Sequence, residues 1–411
     1  MKILILQDDF PPKSYGGAGV VAFNLAQSFK DRGHDVSVIS TVKDKEEEGE
    51  EEINGVKIYN IYSSYNERWR AYLSLYNPMT IKKVKSLMRK IKPDIVFANN
   101  VHFHLSYHSL KLAKKSGAKV FLIAHDVMLF HYGKLTEFIN PCDLSIPDKF
   151  EYKINFLEQV KKFKKRYNPL RNLLISHYLK FVDKIFPVSF ALEEALKENK
   201  VKNTKTVHTG IDVSLWEEDK VKVAEFKKEY GLLGKKIVLF GGRLSGAKGG
   251  KEILKAMIKV IKNVPESILL VIGEGRGYEK DMVDIAEKFG LKNKIIFTGW
   301  ILGDDLKSAY HSSDVVVVPS VCFDSFPVVN LESMACAKPV VGTCFGGTLE
   351  AVEDNVTGFI VNPFNTESLA EKISYFLLNP QKAEEFGKRG YNKVKEKFNI
   401  KNWIDEYLRY I

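Results

Sequence analysis

Two carboxylates, Asp324 and Glu332, stand eight residues apart in the stretch DVVVVPSVCFDSFPVVNLESMACAKPVVGT that begins at Asp314. The valine run ends at Pro319 as a buried strand would, an irregular loop follows, and a helix is predicted to start near Phe326 to Val328. Asp324 then belongs to the loop and Glu332 to the second helical turn, with the backbone amides of the helix start between them. Such amides, at the positive end of a helix dipole, suit a diphosphate. Pro327 has no N–H, so Val328 and Val329 are the expected donors. The plainer alternative has Glu332 facing solvent and Asp324 capping the helix.

Glycine-rich turns supply a second kind of chemistry. Gly16-Gly17-Ala18-Gly19 and the stretch from Gly241-Gly242-Arg243 to Gly249-Gly250 each follow a strand and open an amphipathic helix. Glycines admit a ligand close to the backbone, and the helix start beyond them again favours an anion. Arg243 and Lys248 bring two cations to the second turn; the competing reading is a solvated basic loop. His125 follows the run Val120 to Ile123 at its carboxyl end, the edge where ligands gather in open α/β sheets. A hydrogen-bonded structural histidine, with Asp126 holding the loop beside it, is the alternative there. His102, His104 and His108 invite a zinc reading if His104 and His108 share a helix face, but no cysteine or placed acid completes a site. Asp8-Asp9 and Asp304-Asp305 lack the one-residue gap of a D-x-D metal motif, so no metal site is expected.

The elements that must carry these residues repeat. Ile3 to Leu6, Val36 to Ile39, Ile95 to Ala98, Val120 to Ile123 and Lys184 to Val188 alternate with helical stretches, the rhythm of a helix-covered parallel sheet. The rhythm restarts with Ile237 to Phe240, Ile268 to Ile272, Ile295 to Thr298, Val315 to Val318 and Val340 to Gly342. Two α/β domains are therefore expected, residues 1–209 and 210–390, with 391–411 crossing back onto the first and a ligand cleft between them. The acidic run Glu46 to Glu52 is expected to be a solvated loop, with Asn54-Gly55 as a turn between short strands.

These pieces, in this order, resemble family 4 of the glycosyltransferases. The resemblance rests on the acid–seven residues–Glu pattern with Phe326 two places after Asp324, and on the loop at 16 to 19, His125-Asp126, VHTGID at 207 to 212, GGRLSGAKGG at 241 to 250, IGEG at 272 to 275 and FTGW at 297 to 300. It covers nearly the whole chain. It implies the GT-B fold, two Rossmann-like domains facing across a cleft, and retaining transfer of a sugar from a nucleotide diphosphate sugar to a hydroxyl of a glycan or lipid-linked acceptor. It also implies that Arg243 and Lys248 neutralise the donor diphosphate, that Glu332 holds the ribose hydroxyls, and that His125 and Asp324 attend the donor sugar. Gly16, Gly17, Gly242, Gly273, Gly299, Trp300, Phe326, Val328 and Val329 would line the donor. No protein-bound cofactor or metal is implied, and UDP-, GDP- and ADP-sugars are not distinguished. Asp324 stands where the family more often has Glu, and Pro327 where Gly is commoner.

Charge narrows the partners. The net charge of +11 falls entirely before Gly210: Met1 to Thr209 hold 34 Lys and Arg against 23 Asp and Glu, and the remainder balances at 28 against 28. Such a field suits nucleic acid, anionic lipid or a phosphorylated substrate. No nucleic-acid module is present, so nucleic acid is not expected. Between Arg68 and Lys92 eight basic residues occur without an acid, around the stripe Ile81, Val84, Leu87, Met88 and Ile91. Lys161, Lys162, Lys164, Lys165 and Arg166 adjoin Phe156, Leu157, Val160 and Phe163. Either segment could lie on an anionic membrane, or the first could pack on its sheet. With no basic leader and no apolar run of about 18 residues, the expected location is the cytoplasm or the cytoplasmic membrane face. The four cysteines are expected to be reduced packing residues. A nicotinamide dehydrogenase is disfavoured because Gly273-Glu274-Gly275-Arg276-Gly277 breaks the G-x-G-x-x-G pattern at Tyr278. A sugar nucleotide epimerase of the same architecture and a donor-binding pseudoenzyme remain as alternatives.

Overall fold

The computed structural model describes residues 1–13, 16–275 and 277–411. They fall into two compact units: Met1–Leu135 with Glu151–Thr209 and Ile400–Ile411, and Thr136–Phe150 with Gly210–Asn399.

Unit 1 is built on β1 (Lys2–Gln7), β2 (Asp35–Val42), β3 (Gly49–Ile53), β4 (Val56–Tyr62), β5 (Ile95–Asn100), β6 (Lys119–Ala124) and β7 (Lys184–Pro187). Their order across the sheet is β3-β4-β2-β1-β5-β6-β7, parallel except for β3. The continuous apolar runs are explained by burial on both faces: Ile3, Leu4, Ile5 and Leu6 are all inaccessible to solvent. Phe29, Phe97, Phe121 and Phe186 pack in sequence at centroid distances of 5.2, 5.2 and 5.5 Å. Tyr407 of the helix Ile400–Leu408 closes on Phe97 and Phe186, and Arg32 pairs with Asp405 at 2.9 Å. These contacts bind the last residues to unit 1. The returning segment is shorter than the expected 391–411, because the helix Pro380–Lys397 belongs to unit 2.

The acidic run is not a loop. Its second part is β3, an antiparallel edge strand joined to β4 by Asn54-Gly55, both at positive φ as a tight hairpin turn requires. Composition concealed this strand because an edge strand has little to bury, and its glutamates protect the open edge from further pairing. Lys83 and Lys90 neutralise Glu48 and Glu50.

Unit 2 holds β8 (Lys236–Gly241), β9 (Ser267–Ile272), β10 (Ile295–Gly299), β11 (Val315–Val318), β12 (Val340–Thr343) and β13 (Gly358–Val361), in the order β10-β9-β8-β11-β12-β13. All five pairings are parallel. Strand order reverses at β8 and β11, so the crevice outside their carboxyl ends is the expected ligand position of such a sheet. The turn bearing Arg243 follows β8, and the loop bearing Asp324 follows β11. Unit 2 also takes residues 136–150, against the expected first domain of residues 1–209. Phe138 and Phe150 pack on Phe345 at 5.8 and 5.7 Å, and Asn362 donates to the carbonyls of Asp143 and Ser145.

Candidate active site

The donor-type residues of unit 2 are held by backbone contacts that only glycine permits. Gly273, at φ +112°, lies so close to Gly242 that a Cβ would meet the Gly242 carbonyl oxygen at 2.0 Å. Gly242 N–H donates to Ile272 and Gly273 N–H to Gly299, so the turns after β8, β9 and β10 form one connected rim. Gly249 packs equally tightly on Pro319, and Val321 N–H donates to Ala247. The cation-bearing turn is thereby fixed to the acid-bearing loop.

Across that junction Lys248 Nζ donates to Asp324 Oδ2 at 2.6 Å, and Ser320 Oγ donates to the same oxygen at 2.7 Å. Burial alone would depress the Lys248 pKa, but the Asp324 carboxylate outweighs it and the net shift is upward, so the ammonium is secure. Arg243 is exposed beside it. The helix Val328–Ala335 starts at Pro327 with no side-chain cap, so Asp324 does not cap it. Val328 and Val329 occupy the first turn, whose N–H groups have no intrahelical acceptor. Glu332 is half-buried rather than simply facing solvent: burial raises its pKa, and Tyr310 Oη donates to it at 2.5 Å. Phe326 is buried against Phe398 at 5.7 Å, which makes its side chain a packing group; Trp300 is 37% exposed just beyond β10.

In unit 1, His125 Nε2 contacts Asn99 Oδ1 at 2.6 Å. The Asn99 amide donates in turn to Gln7 and to the Ala18 carbonyl, tying His125 to the helix that Gly16 and Gly17 open. Because Asn99 presents its oxygen, His125 carries a proton on Nε2. Burial holds its pKa down to about 4, so the ring is neutral at pH 7. Asp8, fully buried at the end of β1, accepts N–H bonds from Phe103, His104 and Leu105 at 2.7 to 2.8 Å. Burial nonetheless pushes its carboxyl up to about 7.

The three-histidine zinc reading fails on placement. His104 lies outside any helix and bonds Ser63, His108 begins the helix His108–Lys115 and meets Tyr178, and His102 faces Asp126 at 3.4 Å. Among the described residues no three His, Cys, Asp or Glu side chains are grouped to hold a metal, and no helix is long and apolar enough to cross a membrane.

Comparison with known proteins gives the family and the fold. The model of Glycosyltransferase Family 4 matches residues 15–215, and that of Glycosyl transferases group 1 matches residues 222–393. The chain belongs to the group 1, family 4 glycosyltransferases. An uncharacterised glycosyltransferase of Methanocaldococcus jannaschii is 27% identical over 97% of both chains. The lipopolysaccharide 1,2-N-acetylglucosaminetransferase of Salmonella typhimurium is 30% identical over 41% of this chain and 49% of that one. Anabaena HepE, crystallised with UDP and glucose, superposes over 100% of this chain and 98% of its own with a TM-score of 0.73 at 19% identity. Sucrose-phosphate synthase of Thermosynechococcus elongatus gives 0.79 over 99% and 97%, also at 19% identity. These likenesses establish the GT-B fold.

In this glycosyltransferase three supporting residues escaped the sequence reading. Ser320 and Tyr310 secure the two acids, and Asn99 sets the His125 tautomer. Asn99 and Ser320 sit at or just beyond strand carboxyl ends, a positional signal that a search for charged side chains passes over. Arg276, within the glycine-rich fragment after β9, lies outside the described residues.

Proposed function

We propose that this glycosyltransferase retains anomeric configuration and moves a sugar from a nucleotide diphosphate sugar to a hydroxyl of a glycan or lipid-linked acceptor, without a metal. The observation that carries this reading is the Lys248–Asp324 contact, with Arg243 beside it, at the switch point of the unit 2 sheet. An ammonium has three N–H donors and Asp324 Oδ2 takes one, so Lys248 can hold Asp324 and a phosphate oxygen together. Arg243, Lys248 and the first-turn amides of Val328 and Val329 stabilise charge on the departing diphosphate as the bond from C1 to its oxygen breaks. The acceptor oxygen bonds to C1 on the same face, and its proton passes to the leaving phosphate. Glu332 accepts from the ribose hydroxyls, while His125 and Asp324 position the sugar. Gly242, Gly273, Gly299 and Trp300 border the nucleoside, and Gly16 and Gly17 are further proposed donor contacts.

UDP-sugars are the first donors to test, since HepE was crystallised with UDP-glucose. Transfer to a panel of glycan and lipid-linked acceptors in EDTA, with the product anomer read by NMR, tests the reading. Product of retained configuration supports it; inverted product, strict dependence on added metal, or isomerised donor without acceptor contradicts it.

The same proposal places the enzyme in the cytoplasm, with unit 1 docking peripherally on an anionic membrane. The helix Pro78–Ile91 does not serve this, because Ile81, Val84 and Met88 are buried. The better segment is Phe156–Phe163 with its neighbours: Leu157, Leu170 and Leu173 are 61, 60 and 70% exposed, close in sequence to the basic run Lys161 to Arg166. Flotation with anionic but not neutral liposomes is expected; equal absence of binding to both rejects docking and leaves the transfer chemistry standing.

A further inference from the structure

Unit 1 buries an arginine without giving it an acid. Arg171 opens the helix Arg171–Leu179 and is inaccessible to solvent. Its guanidinium donates to Asn172 Oδ1 at 3.0 Å and to the Met128 carbonyl, and its Nε has no hydrogen-bond partner among the described residues. Both circumstances are unfavourable, since a helix start repels a cation and a buried charge is costly without an opposite one.

A second arginine shares the place. The guanidinium carbons of Arg70 and Arg171 lie 4.7 and 5.5 Å from the centroid of one ring, that of Tyr132. Arg70 also sits 4.9 Å from the Phe103 ring and is partly exposed. Among the described residues, arginine ion pairs belong to Arg32, Arg389 and Arg409, and neither Arg70 nor Arg171 has one. The Asp126 carboxylate near by is engaged with the Met128 N–H and with His102. Phe103 follows β5, and Met128 and Tyr132 follow β6, so the arginines stand on the same carboxyl edge as His125. Two like charges around one ring, with no acid between them, are stabilised by a bound anion. The two rings occupy Arg70 through its π face, and Nη2 makes one long in-plane contact, 3.5 Å to the Tyr132 carbonyl. The other in-plane N–H groups keep the geometry that grips an oxyanion with paired hydrogen bonds.

We propose that Arg70 and Arg171 form an oxyanion site for a phosphate or carboxylate group carried by the acceptor. Arg70 makes the contact and Arg171 adds charge from behind. The proposal rests on unit 1 being the acceptor side of the transferase; the donor diphosphate has its own cations, Arg243 and Lys248, in unit 2.

The test is thermal unfolding of wild type, Arg70→Gln and Arg70→Lys, titrated with inorganic phosphate, glucose 6-phosphate, malate or glucose at constant ionic strength. Titrations are made with UDP, GDP or ADP, whichever stabilises the wild type, held at saturation to occupy the diphosphate site. That nucleotide shift is the control: it should be equal in all three proteins, and its absence in wild type would count against the donor reading alone, with the anion titrations then read without nucleotide. At least one of the three anions should stabilise the wild type saturably where glucose does not. Arg70→Gln should bind that anion at least tenfold more weakly, with Arg70→Lys intermediate. The phosphate and malate arms identify which oxyanion is preferred. No anion-dependent stabilisation of the wild type, or equal stabilisation of Arg70→Gln, overturns the site.

Discussion

In unit 2 the half-buried cation at the sheet's carboxyl edge has its acid within reach, Lys248 on Asp324 at 2.6 Å, and the half-buried acid Glu332 has a hydroxyl donor in Tyr310. In unit 1 the corresponding edge holds two arginines without ion pairs among the described residues, two histidines kept neutral by burial, and an acid, Asp8, occupied by three backbone amides. The first edge is charge-compensated at Lys248 and leaves Arg243 facing solvent. The second has its loops fixed but its charge open, as the proposed oxyanion site on that edge requires. The excess positive charge before Gly210 follows the same division.

The largest effect should come from breaking the compensated edge. Lys248→Ala and Arg243→Ala should each lose about 2–4 kcal/mol of transition-state stabilisation, roughly a thirtyfold to thousandfold fall in kcat/KM. Only Lys248→Ala should also lower stability, by about 2–3 kcal/mol, because it strands the largely buried Asp324 carboxylate. Equal melting temperatures for the two variants would remove the distinction between paired and solvent-facing cations.

A pH titration sharpens the open edge. Burial holds His102 and His125 at about 4, below the ordinary 6.5, so the neutral rings contribute stability that is present above pH 6.5 and lost as pH falls toward 4. Asp8, raised to about 7 from 3.8, acts oppositely, contributing stability below pH 3.8 that disappears as pH rises through 7. With two histidines against one acid, these three groups together should cost about 3 kcal/mol between pH 6.5 and 4. Urea midpoints across that range should flatten in His102→Gln and His125→Gln and steepen in Asp8→Asn. Parallel curves for all four proteins would dismiss the burial account. Asp8→Asn should separately cost about 1–3 kcal/mol at any pH, because its amide would oppose a backbone N–H.

The smallest effect concerns the support behind Glu332. Tyr310→Phe should weaken nucleotide binding by about 1 kcal/mol, a few-fold in Kd, and Glu332→Gln by more, since it replaces an acceptor with a donor. Unchanged Kd in both variants, measured by calorimetry, would detach this acid from the ribose.

Much of the position of the unit 2 candidate residues was readable in advance because their placement is local. Gly242, Arg243, Lys248, Asp324 and Glu332 sit at fixed distances from strand ends, and runs such as Val315 to Val318 announce strands buried on both faces. Partners brought by the fold were not readable: Tyr310 and Glu332 come from different helices, and Asn99 reaches His125 across neighbouring strands. The strand Gly49–Ile53 was missed because polar edge strands look like loops, and the excursion Thr136–Phe150 because Phe138 and Phe150 meet Phe345 some two hundred residues away in sequence. Arg171 was missed for a sharper reason, since composition rules place arginine at the surface.

In the proposed reaction Arg243 and Lys248 receive the diphosphate of a nucleotide sugar without help from a metal. Calorimetric titration of UDP, GDP and ADP into wild type and Arg243→Ala, in EDTA, tests it most directly. One of the three should bind the wild type and bind Arg243→Ala at least tenfold more weakly at unchanged melting temperature. Failure of all three to bind the wild type, or equal affinity for both proteins, would contradict it.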